Sequence, residues 1–199
     1  MLTTLDIHMF LVRRQIVYSA LSNSSKFKRQ ILNVISLIKK TFDSGNKVLI
    51  FGNGGSAAQA QHFAAELVCK FEKNRQALPT IALTTDSSIL TAQSNDNGFE
   101  TVFSRQIEAL CRPGDLVIGL TTSDTDGQHS ANIRHAFLTA QKKGAKSIGL
   151  FSQKTKNLLP LVDVAIIVPA TNTAIIQEVH QTVIHLLCFL IESELVGES

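Results

Sequence analysis

The chain has 199 residues, enough to bury a sizeable core within one domain of ordinary size. A hydrophobic content of 44% beside 18% charged residues describes a soluble globular α/β protein. The net charge is only +3 and no basic run accompanies it, so no nucleic-acid partner is expected. Cys69, Cys111 and Cys188 lack metal-like spacing and cannot all pair with one another, which favours a reducing compartment and packed thiols. Asp6, His8, Arg13 and Arg14 interrupt the apolar residues of the N-terminus, and no stretch approaches 18 uninterrupted apolar residues. Neither a signal peptide nor a membrane span is expected, and the chain reads as cytoplasmic.

Residues 1–45 hold one turn signal, Ser22-Asn23-Ser24-Ser25, with helical patterning on both sides. Asp6 to Leu21 reads as a first helix. Ile31, Val34, Ile35 and Ile38 form an apolar stripe on a second, from about Ser25 to Phe42. A sheet does not need two helices before its first strand. They are read as packing onto the domain and onto neighbouring subunits, with core packing inside one chain as the competing explanation. On this reading residues 1–44 are a helical assembly segment, and residues 45–199 form the single ligand-binding domain.

Val48 to Phe51 is a short β-branched and aromatic run, the mark of a buried strand. Gly52-Asn53-Gly54-Gly55 ends it with residues that tolerate positive φ, and Ser56 is placed to cap the Ala-rich helix that follows. A Gly-rich turn between a strand and a helix N-terminus is an anion site, because free N–H groups and the helix dipole point the same way. His62 and Glu66 lie four apart on one face of that helix. They would serve as a base or metal-ligand pair about 10–15 Å from the anion site, at 1.5 Å per residue. A solvated His–Glu pair on an ordinary helix fits the same spacing equally well.

Leu78 to Leu83 reads as the second strand, followed by a short helix to about Gln93. Asn95-Asp96-Asn97-Gly98 is then a turn that either faces a ligand or merely closes the surface. Phe99 to Leu110 is an amphipathic helix, and Leu116 to Leu120 the third strand. Thr121-Thr122-Ser123 beyond it supplies hydroxyls at the carboxyl end of a strand, where α/β sheets bind ligands. The loop runs on through Asp124-Thr125-Asp126-Gly127-Gln128-His129-Ser130 to a helix from Ala131 to Lys143. Ser147 to Phe151 and Val164 to Val168 are strands four and five. The last helix, about Thr173 to Leu195, carries Gln177 and His180 on one face, three apart. His185 looks about 140° away from His180 at 3.6 residues per turn. It adjoins the apolar stripe Ile184, Leu187, Cys188, Ile191 and so reads as structural. The alternation of strands and helices predicts a doubly wound, five-stranded parallel sheet flanked by helices.

Together, G-N-G-G-S, A-Q-H-F-A-A-E, A-L-P-T-I-A-L-T-T-D, N-D-x-G-F-E-x-V-F-S-R-Q and I-Q-E-V-H resemble the phosphoheptose isomerase (sedoheptulose 7-phosphate isomerase) family of the sugar isomerase, or SIS, fold. The resemblance runs from about Val34 to Ser193. It implies interconversion of sedoheptulose 7-phosphate and D-glycero-D-manno-heptose 7-phosphate, on the route to lipopolysaccharide heptose. It places phosphate and sugar contacts on Asn53, Gly54, Gly55, Ser56, Asn95, Asp96, Thr121, Thr122 and Ser123, with Gln177 and Glu66 also at the substrate. The implied acid/base pair is Glu66 and His180. The implied ligands of a zinc ion are His62, Glu66, Gln177 and His180, and no organic cofactor is implied. The implied assembly is a homotetramer with sites at subunit interfaces.

Two departures stand out. The family's compact T-S-G-N-S-x-N is here TTSDTDGQHSAN, about four residues longer, with Ser130 or Thr125 in the place of the last phosphate-contacting serine. Asp124 and Asp126 bring negative charge near an expected dianion, which is unfavourable unless they point outward. Ile175 stands where the family commonly has Arg. The same framework also occurs in a non-catalytic SIS protein that associates with the bacterial replication initiator. That relative lacks a carboxylate at the position of Glu66, which favours the enzyme; an isomerase or binder of another sugar phosphate is the other alternative.

Overall fold

Five apolar runs pair into one all-parallel sheet in a computed structural model that describes residues 2–125 and 130–196. The strands are β1 (Val48–Gly52), β2 (Thr80–Ala82), β3 (Leu116–Leu120), β4 (Lys146–Ser152) and β5 (Val164–Val168), in the spatial order β2-β1-β3-β4-β5. Every residue of β1 and β3 is buried, as a sheet covered on both faces requires. The chain leaves β1 for β2 on one side and later crosses to β3 on the other. That makes the gap beyond β1 and β3 the topological switch point, where ligands of open α/β sheets bind. Their ends are level there, Gly52 standing opposite Leu120.

Among the described residues seven α-helices flank the sheet: α1 (Thr4–Ser22), α2 (Ser25–Asp43), α3 (Gly55–Val68), α4 (Ser87–Asn97), α5 (Val102–Leu110), α6 (Ala131–Lys142) and α7 (Thr173–Val196). α2, α3 and α7 bury one face of the sheet; the stripe Ile31, Val34, Ile35, Ile38 packs there against Ile184, Leu187 and Ile191. α5 and α6 cover the other face around Phe51, Phe103, Phe137 and Phe151. α1 is different. Only Val17 and Leu21 are buried, whereas Leu5, Ile7, Phe10, Leu11 and Ile16 are each more than half exposed. It is tied to α7 by Arg14, which binds Glu178 at 2.7 Å, and by Tyr18 to Thr182 at 2.9 Å.

Most predicted elements form within a residue or two of the expected ends. Three differences matter for the site. The second strand contracts to three residues. α4 runs on to Asn97, so Asn95 and Asp96 occupy its last turn rather than a loop. A 3-10 turn, Phe99–Thr101, then separates α4 from α5.

α3 and α7 follow parallel strands on the same face, so they run parallel, and one ion pair fixes their far ends. The Glu192 carboxylate, 1% exposed, accepts the N–H groups of Phe71, Glu72 and Lys73 at 2.8 Å each and Arg75 Nε at 3.0 Å. Arg75 in turn donates to the carbonyls of Glu66 and Leu67 at the end of α3. Burial alone would raise the Glu192 carboxyl, but the three amides and Arg75 hold it below the ordinary carboxylate range. Glu192→Ala strands a buried guanidinium and three amides. It should lower unfolding free energy by about 3–5 kcal/mol, read from urea midpoints, and a loss below ~1 kcal/mol would show that the clamp is dispensable.

Candidate active site

The turn after β1 is built for a ligand. Gly54 holds φ at 55°, a conformation that Gly adopts freely, and no side chain caps α3. Ser56 is therefore not the cap; it is the second helical residue and is buried. A Cβ on Gly55 would collide with the side-chain amide of Gln177, so α7 sits directly against this turn. Gln59 Nε2 repeats the contact, donating to the Gln177 carbonyl at 2.6 Å.

Across the switch point, the Thr121-Thr122-Ser123 loop is pinned from behind. Ser152 Oγ donates to the Thr122 carbonyl at 3.0 Å and Thr155 Oγ1 to that of Ser123 at 3.3 Å. Thr121 Oγ1 closes the loop on itself, accepting the Ser123 N–H at 3.2 Å. Asn53 and Asn132 bridge the two sides through reciprocal amide bonds of 2.9 and 2.8 Å. Between these walls lies a cavity of about 710 Å³. Asn53, Ser56, Thr121, Thr122, Ser123, Ser130 and Gln177 all line it, joined by Asn132, His135, Phe99 and Glu100. Ser130, not Thr125, takes a place in the wall, with φ of 55° just before α6. Asn132, Phe99 and Glu100 lie within quoted motifs but were not singled out, and His135 lies in no motif; only the tertiary fold brings the four to the cavity.

The acidic loop residue resolves cleanly. Asp124 accepts the N–H groups of Lys156 and Asn157 at 2.9–3.0 Å and so turns away from the cavity. Asp126 lies outside the described residues. Ile175 does not face the cavity either; it borders a separate hollow with Met9, Phe10 and Arg14. Asn95 and Asp96 are exposed, and in the single chain they do not reach the cavity wall.

Two turns along α3 from Ser56, three ionisable groups converge. His62 Nε2 is 2.9 Å from His185 Nε2 and 3.3 Å from Glu66 Oε1. The ligand atoms of His62, Glu66 and His185 all lie within 4.8 Å of one another. Gln181 Nε2 stands 2.9 Å from His185 Nε2, and the Phe71 ring packs on the His185 ring with centroids 5.4 Å apart. Two imidazoles and a carboxylate aimed at one point are a donor set suited to a divalent metal.

His180 is not among them. It is fully buried, its Nε2 donating to the Phe151 carbonyl at 3.3 Å, and its Nδ1 has no partner among the described residues. Burial, opposed by the Phe151 bond, pushes its pKa down to about 4. Glu66 therefore stands near His185, the histidine read as structural, and His180 faces the Phe151 carbonyl instead. Of the four residues expected at a metal, His62 and Glu66 lie together with His185, His180 lies apart from them, and Gln177 lines the cavity against Gly55.

The family model for the SIS domain matches residues 15–152. A phosphoheptose isomerase from Geotalea daltonii is 51% identical over 169 residues, covering 85% of this chain and 86% of the relative. The chain belongs to the phosphoheptose isomerase family of SIS-domain proteins. A relative from Aquifex aeolicus with the same name is 49% identical over 172 residues, 86% of this chain and 87% of its own. Among solved structures, the phosphoheptose isomerase from Francisella tularensis superposes with a TM-score of 0.89 at 33% identity, covering 96% of this chain and 100% of that one. That from Neisseria gonorrhoeae gives 0.85 at 34%, covering 96% and 98%.

His180 stays neutral in the fold, whereas an unfolded histidine protonates near pH 6.5. The unfolded chain therefore binds more protons between those values, and stability falls as pH drops from about 6.5 toward 4. Urea midpoints should decline over that window and decline less in His180→Asn. An identical slope in the variant would contradict the assignment.

Proposed function

We propose that the chain isomerises sedoheptulose 7-phosphate to D-glycero-D-manno-heptose 7-phosphate, on the route to lipopolysaccharide heptose, with Glu66 and His185 as its acid/base pair. The convergence of Glu66, His62 and His185 beside a hydroxyl-rich cavity carries this reading, and family membership supports it. The phosphate would lie among Gly54, Gly55, Ser56, Thr121, Thr122, Ser123 and Ser130. From Ser56 to His62 is about 9 Å along the helix axis, a span suited to an extended seven-carbon chain. The reacting carbons would then meet the α3–α7 cluster.

Moving a carbonyl from C2 to C1 requires loss of a proton from C1, an enediol, and return of a proton at C2. A carboxylate and an imidazole in one cluster can divide this work: Glu66 takes the C1 proton and delivers it to C2, and His185 moves protons between O1 and O2. Phe71 and Gln181 hold the His185 ring in place. His62, Glu66 and His185 would hold zinc, which when bound polarises the substrate oxygens. Gln177, at the cavity against Gly55, would hold the sugar between the phosphate and the cluster.

We further propose a cytoplasmic homotetramer. The apolar surface of α1 suits burial against other copies, making residues 1–44 the assembly segment and 45–199 the catalytic domain. Asn95 and Asp96, outside the cavity of their own chain, suit a site completed across a subunit interface. The alternative of a non-catalytic initiator-binding relative is disfavoured because such a protein has no use for Glu66 and a convergent cluster around it.

The test is a coupled assay with sedoheptulose 7-phosphate, with zinc added and with chelator. Glu66→Gln and His185→Asn should each lower kcat by about 10²–10⁴-fold with the fold intact, while His180→Asn keeps kcat within about tenfold. No turnover by the folded wild type under either condition would overturn the reading.

A further inference from the structure

The cavity assigned above to the phosphate is walled by hydroxyls and amides, and among the described residues neither Lys nor Arg lines it. Among the described lining residues the one acid is Glu100, and the one side chain able to carry positive charge is His135. A dianion placed there has backbone and hydroxyl donors but no fixed counter-charge. His135 sits one helical turn beyond Ala131 on the same face of α6, so it looks along the wall that Ser130 and Ala131 begin. Its Nδ1 lies 3.1 Å from the Glu100 carbonyl oxygen, a bond that a ring nitrogen can make only by donating. That bond fixes the tautomer, leaving Nε2 as the nitrogen free for a ligand.

We propose that His135 is a specificity-determining residue for the phosphate, its Nε2 proton paired with a phosphate oxygen in the complex. This rests on the reading of the cavity as a phosphoryl site. The charged groups on the elements packed against α6 leave the pairing open. Glu100 lines the same cavity, Arg105 and Glu108 on α5 pair with each other at 3.0 Å, and Lys146 on β4 pairs with Asp163 at 2.7 Å. Arg134, the sequence neighbour, is exposed and absent from the cavity wall.

A merely structural His135 would be replaced poorly by lysine, whereas a phosphate-pairing one would be replaced well. The experiment compares the full-length wild type, His135→Gln and His135→Lys at about pH 6. It reads KM and kcat for sedoheptulose 7-phosphate, and separately the binding of inorganic phosphate by calorimetry. Loss of a charge-assisted hydrogen bond should raise KM and the phosphate dissociation constant of His135→Gln about tenfold at pH 6, with kcat within about twofold. His135→Lys should bind phosphate at least as tightly as the wild type. Equal phosphate affinity in wild type and His135→Gln at pH 6, or lysine binding no better than glutamine, would overturn the proposal. If the wild type turns over no heptose phosphate, the functional reading fails, and the phosphate arm alone still decides His135.

Discussion

The parallel register of α3 and α7 is the constraint on which the rest of the site depends. Both helices leave parallel strands on the same face of one sheet, so they must run side by side in the same direction. Contact then repeats along their length: Gly55 against Gln177, Gln59 to the Gln177 carbonyl, His62 to His185, and the end of α3 to Glu192 through Arg75. The first contact adjoins the anion turn and the third forms the convergent cluster. The last, a buried ion pair with three backbone amides, locks the helices at the distance the cluster needs. The cluster and one wall of the cavity are thereby carried by one rigid pair of helices.

That register explains what the sequence could and could not reveal. The strand–Gly–helix unit, the sheet and the hydroxyl loop follow from local patterns, since β-branched runs, glycines and apolar stripes each dictate their own conformation. Glu66 and His62 were legible for the same reason, being one turn apart on one helix. The partner on α7 was not. Measured from Gln177, His180 stands three residues on and His185 eight, rotations of about 60° one way and 80° the other, so periodicity barely separates them. Only the tertiary contact decides. With Gly55 opposite Gln177, the residue opposite His62, seven further along α3, must lie about seven or eight along α7, and His185 alone satisfies this. The apolar neighbours of His185 suggest a core role, yet a half-buried ring beside a core stripe can also face a polar cluster.

The wall between β1 and β3 shows a second kind of illegibility. Asn53 was legible as part of the Gly-rich turn, but its reciprocal bond to Asn132 joins residues 79 apart and ties the two loops that flank the switch point. Asp124 seemed hostile to a dianion until its carboxylate was seen capping the amides of Lys156 and Asn157. Charge in a loop sequence carries no direction, and direction decides whether it repels a ligand or anchors the loop. Phe99 and Glu100 reach the cavity from the 3-10 turn between α4 and α5, and His135 from α6.

A double-mutant cycle on turnover tests most directly whether Glu66 and His185 act as one unit. Glu66→Gln, His185→Asn and the double variant would be compared with the wild type, after checking that all four unfold at similar urea concentrations. Groups that share one proton-transfer task lose most of their function with the first removal, so the double variant should be little slower than the slower single. Losses that simply multiply would mean that the two residues act independently, and the α3–α7 cluster would not be the catalytic centre described above.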